Sequence, residues 1–237
     1  MASPRGAGFQ AVIFDFHNTL FHFLGDAAWL RAGAHACGMP LTGSQAERLA
    51  VDIDSARRRP EVMAMGREQD LSPQAHRRAT ARWLRMAGVP GALADALYEE
   101  LTAPASWQPF ADTAPVLRAL HRADVAVGVL SNTGWDLRDS FARHGLAKYV
   151  NEFTLSCEMG LRKPDIAIFR HACATLGADP RVTLMVGDNP GTDGGCVKAG
   201  LSGYLLAPPR DDLPRGLSAV LRLVGVTAEM HEAEPSS

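Results

Sequence analysis

Lysine is scarce in this chain of 237 residues. Of its 24 lysine and arginine side chains only three are lysine, at positions 148, 163 and 198. Residues 1–147 contain no lysine, so this part of the chain cannot supply a lysine amine for catalysis. A lysine that is kept against this preference for arginine becomes a candidate functional residue.

Cysteine, long apolar runs and net charge are also low. The four cysteines form no close pair and no metal-ligand spacing, so we expect free thiols in a reducing cytoplasm. No stretch approaches the ~20 apolar residues of a membrane span, and the N-terminus has no apolar signal segment. A net charge of −2 gives no strong attraction to nucleic acid or to anionic membranes. We therefore expect a cytoplasmic protein that binds neither.

Short apolar runs rich in β-branched residues recur along the chain and predict strands. They lie at 10–15, 124–131, 182–187 and 202–206, with a weaker candidate at 152–156. Helical patterns lie between them, at 112–122, 136–144, 165–176 and 193–200. This alternation predicts an α/β fold with a doubly wound, Rossmann-like parallel sheet that is covered on both faces.

Residues 21–104 interrupt the alternation, because they contain no convincing strand. Their pattern predicts four helices, separated by prolines, near 25–37, 43–58, 73–87 and 91–102. We expect a four-helix cap domain, residues 21–104, inserted into a discontinuous core domain of residues 1–20 and 105–227. The polar end, residues 228–237, is predicted to be a flexible tail.

Polar side chains follow three of the predicted strands. Asp15 ends the first strand, and Ser131 and Asn132 end the second. Asp188 ends the third strand, and Asp193 follows about one turn later. Ligands of an open α/β sheet bind beyond the carboxyl ends of its strands, so we expect these side chains to converge there.

The converging residue types suit phosphoryl chemistry. Asp15 and Asp188 are hard oxygen ligands of the kind that Mg²⁺ prefers. Lys163 opens the helix before the third strand, and its ammonium could hold phosphoryl oxygens together with the Ser131 hydroxyl. A carboxylate in this setting can attack phosphorus and form an aspartyl-phosphate.

The segments FDFHNTL, VLSNT, RKPD and VGDNPGTD, in this order, resemble the four motifs of the haloacid dehalogenase (HAD) superfamily. The resemblance covers residues 11–206, including a cap inserted after the first motif. It implies that Asp15 is the nucleophile, that Ser131 binds the phosphoryl group and that Lys163 steadies both. It also implies that Asp188 binds the metal and that Asp193 orients the metal's water molecules. Asn132 is a further candidate for phosphate binding.

His17 stands where phosphatases of the superfamily carry a second aspartate. That aspartate protonates the leaving oxygen and then activates water, and histidine can serve as acid and base near neutral pH. Three interpretations stay open: acid/base catalysis by His17, a spectator or substrate contact, and a catalytically silent site. The backbone carbonyl of His17 still matches a metal ligand. Asn18 replaces a common glycine, and asparagine tolerates positive φ.

The resemblance therefore implies a Mg²⁺-dependent phosphatase that acts on a small phosphorylated metabolite through an aspartyl-phosphate on Asp15. Two alternatives stay open: a hydrolase of this superfamily that acts on another bond, and a silent phosphate-binding or scaffolding protein. Dehalogenase and phosphonatase branches also lack the second aspartate. However, both acids of the last motif favour a metal site, and the cap has no lysine for a Schiff base.

Candidate substrate contacts are His22, Phe23, Trp29 and the arginine clusters at 57–59 and 77–78. Nothing in the sequence indicates the oligomeric state.

Overall fold

The computed structural model describes residues 8–66, 68–210 and 214–226. The strands in these ranges are β1 (Ala11–Phe14), β2 (Phe21–Phe23), β3 (Trp107–Pro109), β4 (Ala126–Ser131), β5 (Glu152–Leu155), β6 (Thr183–Gly187) and β7 (Ser202–Leu205). The helices are α1 (Asp26–Ala36), α2 (Gly43–Arg57), α3 (Pro60–Met65), α4 (Pro73–Met86), α5 (Gly91–Thr102), α6 (Thr113–Arg122), α7 (Arg138–Arg143), α8 (Ser156–Met159), α9 (Ile166–Thr175), α10 (Cys196–Ala199) and α11 (Ser218–Leu223). Short 3-10 helices connect several of them.

Five strands form one parallel sheet in the order β5-β4-β1-β6-β7. All five of these strands were predicted, and the α/β fold class is confirmed. Strand β1 lies at the centre, and Ala11 pairs with Ala126 of β4 on one side and Thr183 of β6 on the other. Because β4 and β6 flank β1, the ends of these three strands meet at one edge of the sheet.

Both faces of the sheet are covered by helices. Val12 and Phe14 of β1 belong to one hydrophobic cluster, together with Leu117 of α6. Ile13 points to the other face and packs with Phe169 of α9. Successive side chains of a strand alternate between its faces, so a strand buried on both faces reads as the continuous apolar run AVIF. This burial is the physical reason that the sequence reveals β1.

The insert between β2 and β3 is helical, as predicted. The four predicted helices are present as α1, α2, α4 and α5, and the short helix α3 was not predicted. Six residues are too few to show a helical period, and Pro60 stands at the first turn of α3, where proline is tolerated. The helices enclose a hydrophobic cluster of their own, whose largest members are Trp29, Leu30, Ile53, Trp83, Leu84, Leu93 and Leu97. The division into cap and core domains at 21 and 104 stays a prediction.

Side-chain caps define where two of the long helices begin. The Thr42 hydroxyl accepts the Gln45 backbone N–H, and the Gln45 side chain accepts the Thr42 backbone N–H. Ser72 caps α4 by accepting the backbone N–H of Ala75. Caps of this type stabilise a helix by about 1 kcal/mol each. They therefore help to fix the orientation of the insert's helices.

A second, two-stranded sheet lies where the helical insert begins and ends. Strands β2 and β3 pair antiparallel, with Phe21 opposite Pro109 and Phe23 opposite Trp107. This two-stranded connection was not predicted, because three-residue strands show too little alternation.

Among the described residues no helix is long and apolar enough to cross a bilayer. The cytoplasmic location stays a prediction, and the expected flexible tail lies outside the described residues.

Candidate active site

Three acidic side chains converge at the carboxyl edge of the sheet. Asp15 follows β1, and Asp188 follows β6. Asp193 begins a 3-10 helix shortly after β6. One carboxylate oxygen from each of the three side chains lies within 4.8 Å of the others. The convergence expected from the strand order is therefore present.

Lys163 lies between two of these carboxylates. Its Nζ atom is 2.6 Å from Asp15 Oδ1 and 2.6 Å from Asp193 Oδ1. Burial alone would lower the pKa of Lys163, but the charges of Asp15 and Asp193 and their hydrogen bonds outweigh it and raise the pKa. The ammonium therefore stays charged at neutral pH although only 2% of the residue is exposed.

Asn132 holds the backbone of Lys163. The Lys163 backbone N–H donates to Asn132 Oδ1 over 2.8 Å, and Asn132 Nδ2 donates to the Lys163 carbonyl over 3.0 Å. The predicted phosphate contact of Asn132 stays a prediction, since its amide already makes these two bonds. Ser131, the last residue of β4, has no side-chain hydrogen bond to the described residues and borders the cavity described below. Its hydroxyl is therefore available to a ligand.

The site carries more negative charge than its lysine neutralises. Burial raises the pKa of Asp15 to about 6, with Lys163 opposing the rise and Asp193 and Asp188 adding to it. Burial and the charge of Asp193 also raise the pKa of Asp188. A raised carboxyl pKa means that ionisation is penalised, so another cation would be stabilised here. Clustered carboxylate oxygens are the donors that a hard divalent cation such as Mg²⁺ prefers, and the residues present therefore fit such an ion.

Gly187 allows Asp193 to approach the end of β6. A methyl group at Gly187 would overlap the carboxylate of Asp193. Asp193 is held from the other side, because its Oδ2 accepts the Asn189 backbone N–H over 3.0 Å. Sequence reasoning did not single out Gly187, although a glycine directly before the motif's first acid was a signal that could have found it.

A buried arginine from the C-terminal segment supports the loop after β1. Arg215 is 7% exposed, and its Nε donates to the carbonyl of Asn18. Asn18 has the positive φ of 56° that its residue type allows. The carboxylate of Asp112 accepts the backbone N–H groups of residues 215–217, which fixes this segment. The sequence gives no signal for Arg215, because 103 residues separate it from Asp112.

His17 borders the cavity that is described below. Its ring lies edge-on to Trp107, with the ring centres 5.2 Å apart and the planes at 88°. The imidazole makes no hydrogen bond to the residues that the structure describes, and His17 is exposed. Partial desolvation by the surrounding protein, followed by the charges of Arg57 and His22, lowers the pKa of His17. The neutral ring therefore predominates at pH 7.

The cavity has a volume of about 500 Å³ and lies between the sheet edge and the helical insert. Ser131 and His17 border it from the sheet side. Of the predicted substrate contacts, Phe23 and Trp29 line the cavity, whereas His22 packs against Phe110 with ring centres 5.0 Å apart. Eight of the other lining residues are apolar or aromatic: Phe16, Val62, Met65, Ala79, Trp83, Leu101, Trp107 and Trp135. The remaining eight are polar or charged: Asp26, Arg57, Gln69, Asp70, His76, Thr80, Asn132 and Thr133.

One arginine of the two clusters borders the cavity, whereas two others form exposed ion pairs. Arg57 borders the cavity and lies over the Trp83 ring, 4.6 Å from its centre. Arg58 forms an exposed ion pair with Asp54. Arg77 forms an exposed ion pair with Glu99 at another face of the insert. Of the candidate arginines in these clusters, Arg57 is the one that borders the cavity.

The chain is similar in sequence to several curated proteins. A protein of Mus musculus, "Haloacid dehalogenase-like hydrolase domain-containing protein 3", is 32% identical over 129 residues. That match covers 52% of this chain and 51% of the mouse protein, so the chain spans about half of its length. The "Glyceraldehyde 3-phosphate phosphatase" of Methanothermobacter thermautotrophicus is 28% identical, covering 83% of this chain and 85% of that protein.

A solved structure shows the same fold over most of the chain. The HAD-hydrolase YfnB of Bacillus subtilis, determined with bound magnesium, superposes with a TM-score of 0.67 at 19% identity. The superposition covers 92% of this chain and 100% of that chain. Residues 9–198 match the family described as "haloacid dehalogenase-like hydrolase". The chain therefore belongs to the haloacid dehalogenase-like hydrolases, as its motifs predicted.

Proposed function

We propose that this enzyme is a Mg²⁺-dependent phosphatase that releases phosphate from a small phosphorylated metabolite through an aspartyl-phosphate on Asp15. The observation that carries the proposal is the buried ammonium of Lys163 between Asp15 and Asp193, with Asp188 beside them. This arrangement combines a nucleophilic carboxylate with fixed charges around it. Relatives named as phosphatases support the same reaction class.

The metal would be held by Asp15, Asp188 and the backbone carbonyl of His17, with Asp193 orienting its water molecules. When bound, Mg²⁺ supplies positive charge for the phosphoryl oxygens and for the carboxylates. Burial, with a smaller contribution from neighbouring acids, raises the pKa values of Asp15 and Asp188, and a bound cation would offset this penalty on their ionised forms.

In the first step the Asp15 carboxylate attacks phosphorus, and the bond from phosphorus to the leaving oxygen breaks. Lys163 keeps the carboxylate in one orientation and stabilises charge on the phosphoryl group, as the Ser131 hydroxyl does from the end of β4. The leaving oxygen takes up a proton. In the second step water attacks the same phosphorus, gives up a proton and releases the Asp15 carboxylate. Catalysis of this kind depends on positioning and on charge stabilisation.

We propose His17 as the residue that handles these protons. Its ring follows the nucleophile by two positions, borders the cavity and has ring nitrogens without a hydrogen bond to the described residues. The neutral imidazole can accept the proton of the attacking water, and the negative charge of a bound phosphoryl group favours the protonated ring that the first step requires. An acid is needed most when the leaving group is poor. His17→Ala should therefore lose at least about tenfold in turnover of an alkyl phosphate, and less with p-nitrophenyl phosphate. His17→Asp restores the family's common acid and is the matched control. Unchanged turnover of the alkyl ester by His17→Ala would remove His17 from the mechanism.

The reaction class is tested by phosphate release from a panel of monoesters, with and without Mg²⁺, in the wild type and in Asp15→Asn. We expect Mg²⁺-dependent release that the Asp15→Asn variant lacks. No release from any ester by folded wild-type protein would contradict the proposal and would favour the silent phosphate-binding alternative.

A further inference from the structure

All four tryptophans of the chain line one cavity, the one that adjoins the phosphoryl site. Trp29 and Trp83 come from the helical insert, whereas Trp107 and Trp135 come from segments on the sheet side. The four positions span more than 100 residues of sequence, so no local pattern groups them. Their meeting at a single cavity is a property of the folded chain.

The rings form a continuous wall. Trp83 and Trp29 are stacked with centres 6.0 Å apart, and Trp29 is 6.0 Å from Phe23. Phe23 is 5.3 Å from Trp107, which is 5.7 Å from Trp135. These separations are typical of favourable aromatic pairs. The wall therefore extends without a break from the insert to the sheet edge.

The polar atoms of three tryptophans are already in use. The indole N–H groups of Trp29, Trp83 and Trp107 donate to the backbone carbonyls of residues 97, 53 and 101 over 2.7, 3.0 and 2.9 Å. A ligand in the cavity therefore meets carbon faces and edges of these three rings rather than donors. The aromatic wall therefore suits an apolar planar group, whereas polar substituents of a ligand would have to pair with other lining residues such as Asp26, Gln69 and Thr80.

The size of the cavity also favours a substrate that is larger than a short-chain phosphate. The space between the sheet edge and the insert has a volume of about 500 Å³. Pockets of roughly 300–1,000 Å³ hold ligands of drug-like size. A phosphoryl group on a two- or three-carbon chain would leave most of this apolar wall without a contact.

We propose that the substrate is a phosphate monoester whose alcohol carries an aromatic ring, with that ring bound against the wall of Trp29, Trp83, Trp107 and Trp135. The inference rests on the proposed phosphatase function. The phosphoryl group lies at Asp15 and Ser131, and the leaving oxygen lies near His17. The aromatic body then extends into the cavity between sheet and insert.

The test compares 2-phenylethyl phosphate with ethyl phosphate. The two leaving alcohols have similar acidity, so a difference in kcat/KM reports binding of the ring rather than chemical activation. We expect kcat/KM to be about 100-fold higher for the phenylethyl ester, because its ring is removed from water against aromatic side chains. Equal kcat/KM values would overturn the inference and leave the phosphatase proposal intact.

A variant that narrows the cavity provides the second measurement. Ala79 of α4 is 8% exposed and borders the cavity, so Ala79→Leu should occupy space needed by the ring. We expect the ratio of the two kcat/KM values to fall at least about fivefold. Ala94→Leu, a buried change in the same insert that does not border the cavity, controls for general repacking. An unchanged ratio in Ala79→Leu would count against the inference.

Binding separates failure of the inference from failure of the proposed function. Calorimetry with Asp15→Asn measures the affinity of each ester without turnover. Tighter binding of 2-phenylethyl phosphate would support the aromatic site even if the wild type hydrolysed neither ester. Equal binding of the two esters would overturn the inference whatever the activity.

Discussion

The charged cluster at the sheet edge and the aromatic cavity beside it are built in opposite ways. In the cluster, Lys163 and the acids are fixed by short, directional contacts of 2.6 Å. In the cavity, rings from insert and sheet sides meet at centre distances of 5 to 6 Å without a shared polar network. The fixed charges of the cluster stabilise the same transition state for every substrate, whereas the apolar wall of the cavity can select which substrate binds. The two regions should therefore respond differently to substitution.

The largest effect is expected for Lys163→Met. Removing the ammonium leaves the Asp15 and Asp193 carboxylates together in a buried site. We expect a loss of about 1,000-fold in turnover of every ester, aromatic or not, because charge stabilisation is lost for all of them. The free energy of unfolding at pH 8 should fall by about 3 kcal/mol. Steady-state kinetics and urea unfolding measure both, and activity within tenfold of the wild type would refute this assignment.

The next effect is expected for Gly187→Ala, which also affects the charged cluster. Its methyl group would displace the Asp193 carboxylate and disturb the ion pair with Lys163. We expect kcat to fall about 100-fold for ethyl and 2-phenylethyl phosphate alike, since misplacing a catalytic group by about 1 Å has effects of this size. The control is Gly203→Ala in the neighbouring strand β7, where the added methyl group would meet Cys196 Sγ at 3.1 Å rather than a residue of the charged cluster. A change confined to the aromatic ester would break the proposed distinction between the regions.

A smaller and more selective effect is expected for Gly134→Ala. Its methyl group would overlap the Cβ of His76 on α4 and push part of the insert away from the sheet. We expect kcat/KM for 2-phenylethyl phosphate to fall about tenfold, with a smaller change for ethyl phosphate, and stability to fall by roughly 1–3 kcal/mol. Gly91→Ala, where an added methyl group has no neighbour within 4 Å, is the control. Equal losses for both esters would show that the cavity does not select the ring.

The smallest effect on turnover is expected for His76→Asn. Its main effect should be on how the free energy of unfolding depends on pH. His76 is 6% exposed, its Nδ1 is 3.3 Å from the Tyr98 hydroxyl, and burial lowers the pKa of His76 to about 4. The unfolded chain takes up this proton at about pH 6.5. The folded state is therefore penalised as pH falls from about 6.5 towards 4, and unaffected above that range.

Urea unfolding at pH 7.5 and pH 5.0 measures this penalty. Asparagine keeps a polar group near the position of Nδ1 but does not titrate. The loss of stability between the two pH values should therefore be about 2 kcal/mol smaller in His76→Asn than in the wild type. Identical losses in the two proteins would show that His76 is not held neutral.

The two regions also differ in how well the sequence predicts them. Asp15, Ser131 and Asp188 follow strand ends, and the sheet edge brings strand ends together, so their convergence was predictable. Of the cavity wall, Phe23 and Trp29 were predicted because they follow the first motif. Trp83, Trp107 and Trp135 come from distant segments whose meeting depends on how the insert packs.

Other contacts could not be predicted for the same reason. Arg215 reaches the Asn18 carbonyl across 197 residues, and neither position belongs to a periodic pattern. The β2–β3 pair joins strands of three residues each, which is too short for alternation to show. Interactions set by tertiary packing leave no local signature, whereas buried strands and helix starts do.

The most direct test of the account is whether Asp15 becomes phosphorylated. Intact-protein mass spectrometry after rapid acid quench, with Mg²⁺ and 2-phenylethyl phosphate present, should show one added phosphoryl group, located at Asp15 by peptide analysis and absent in Asp15→Asn. Turnover without any phosphorylated protein, under quench times shorter than one catalytic cycle, would contradict it.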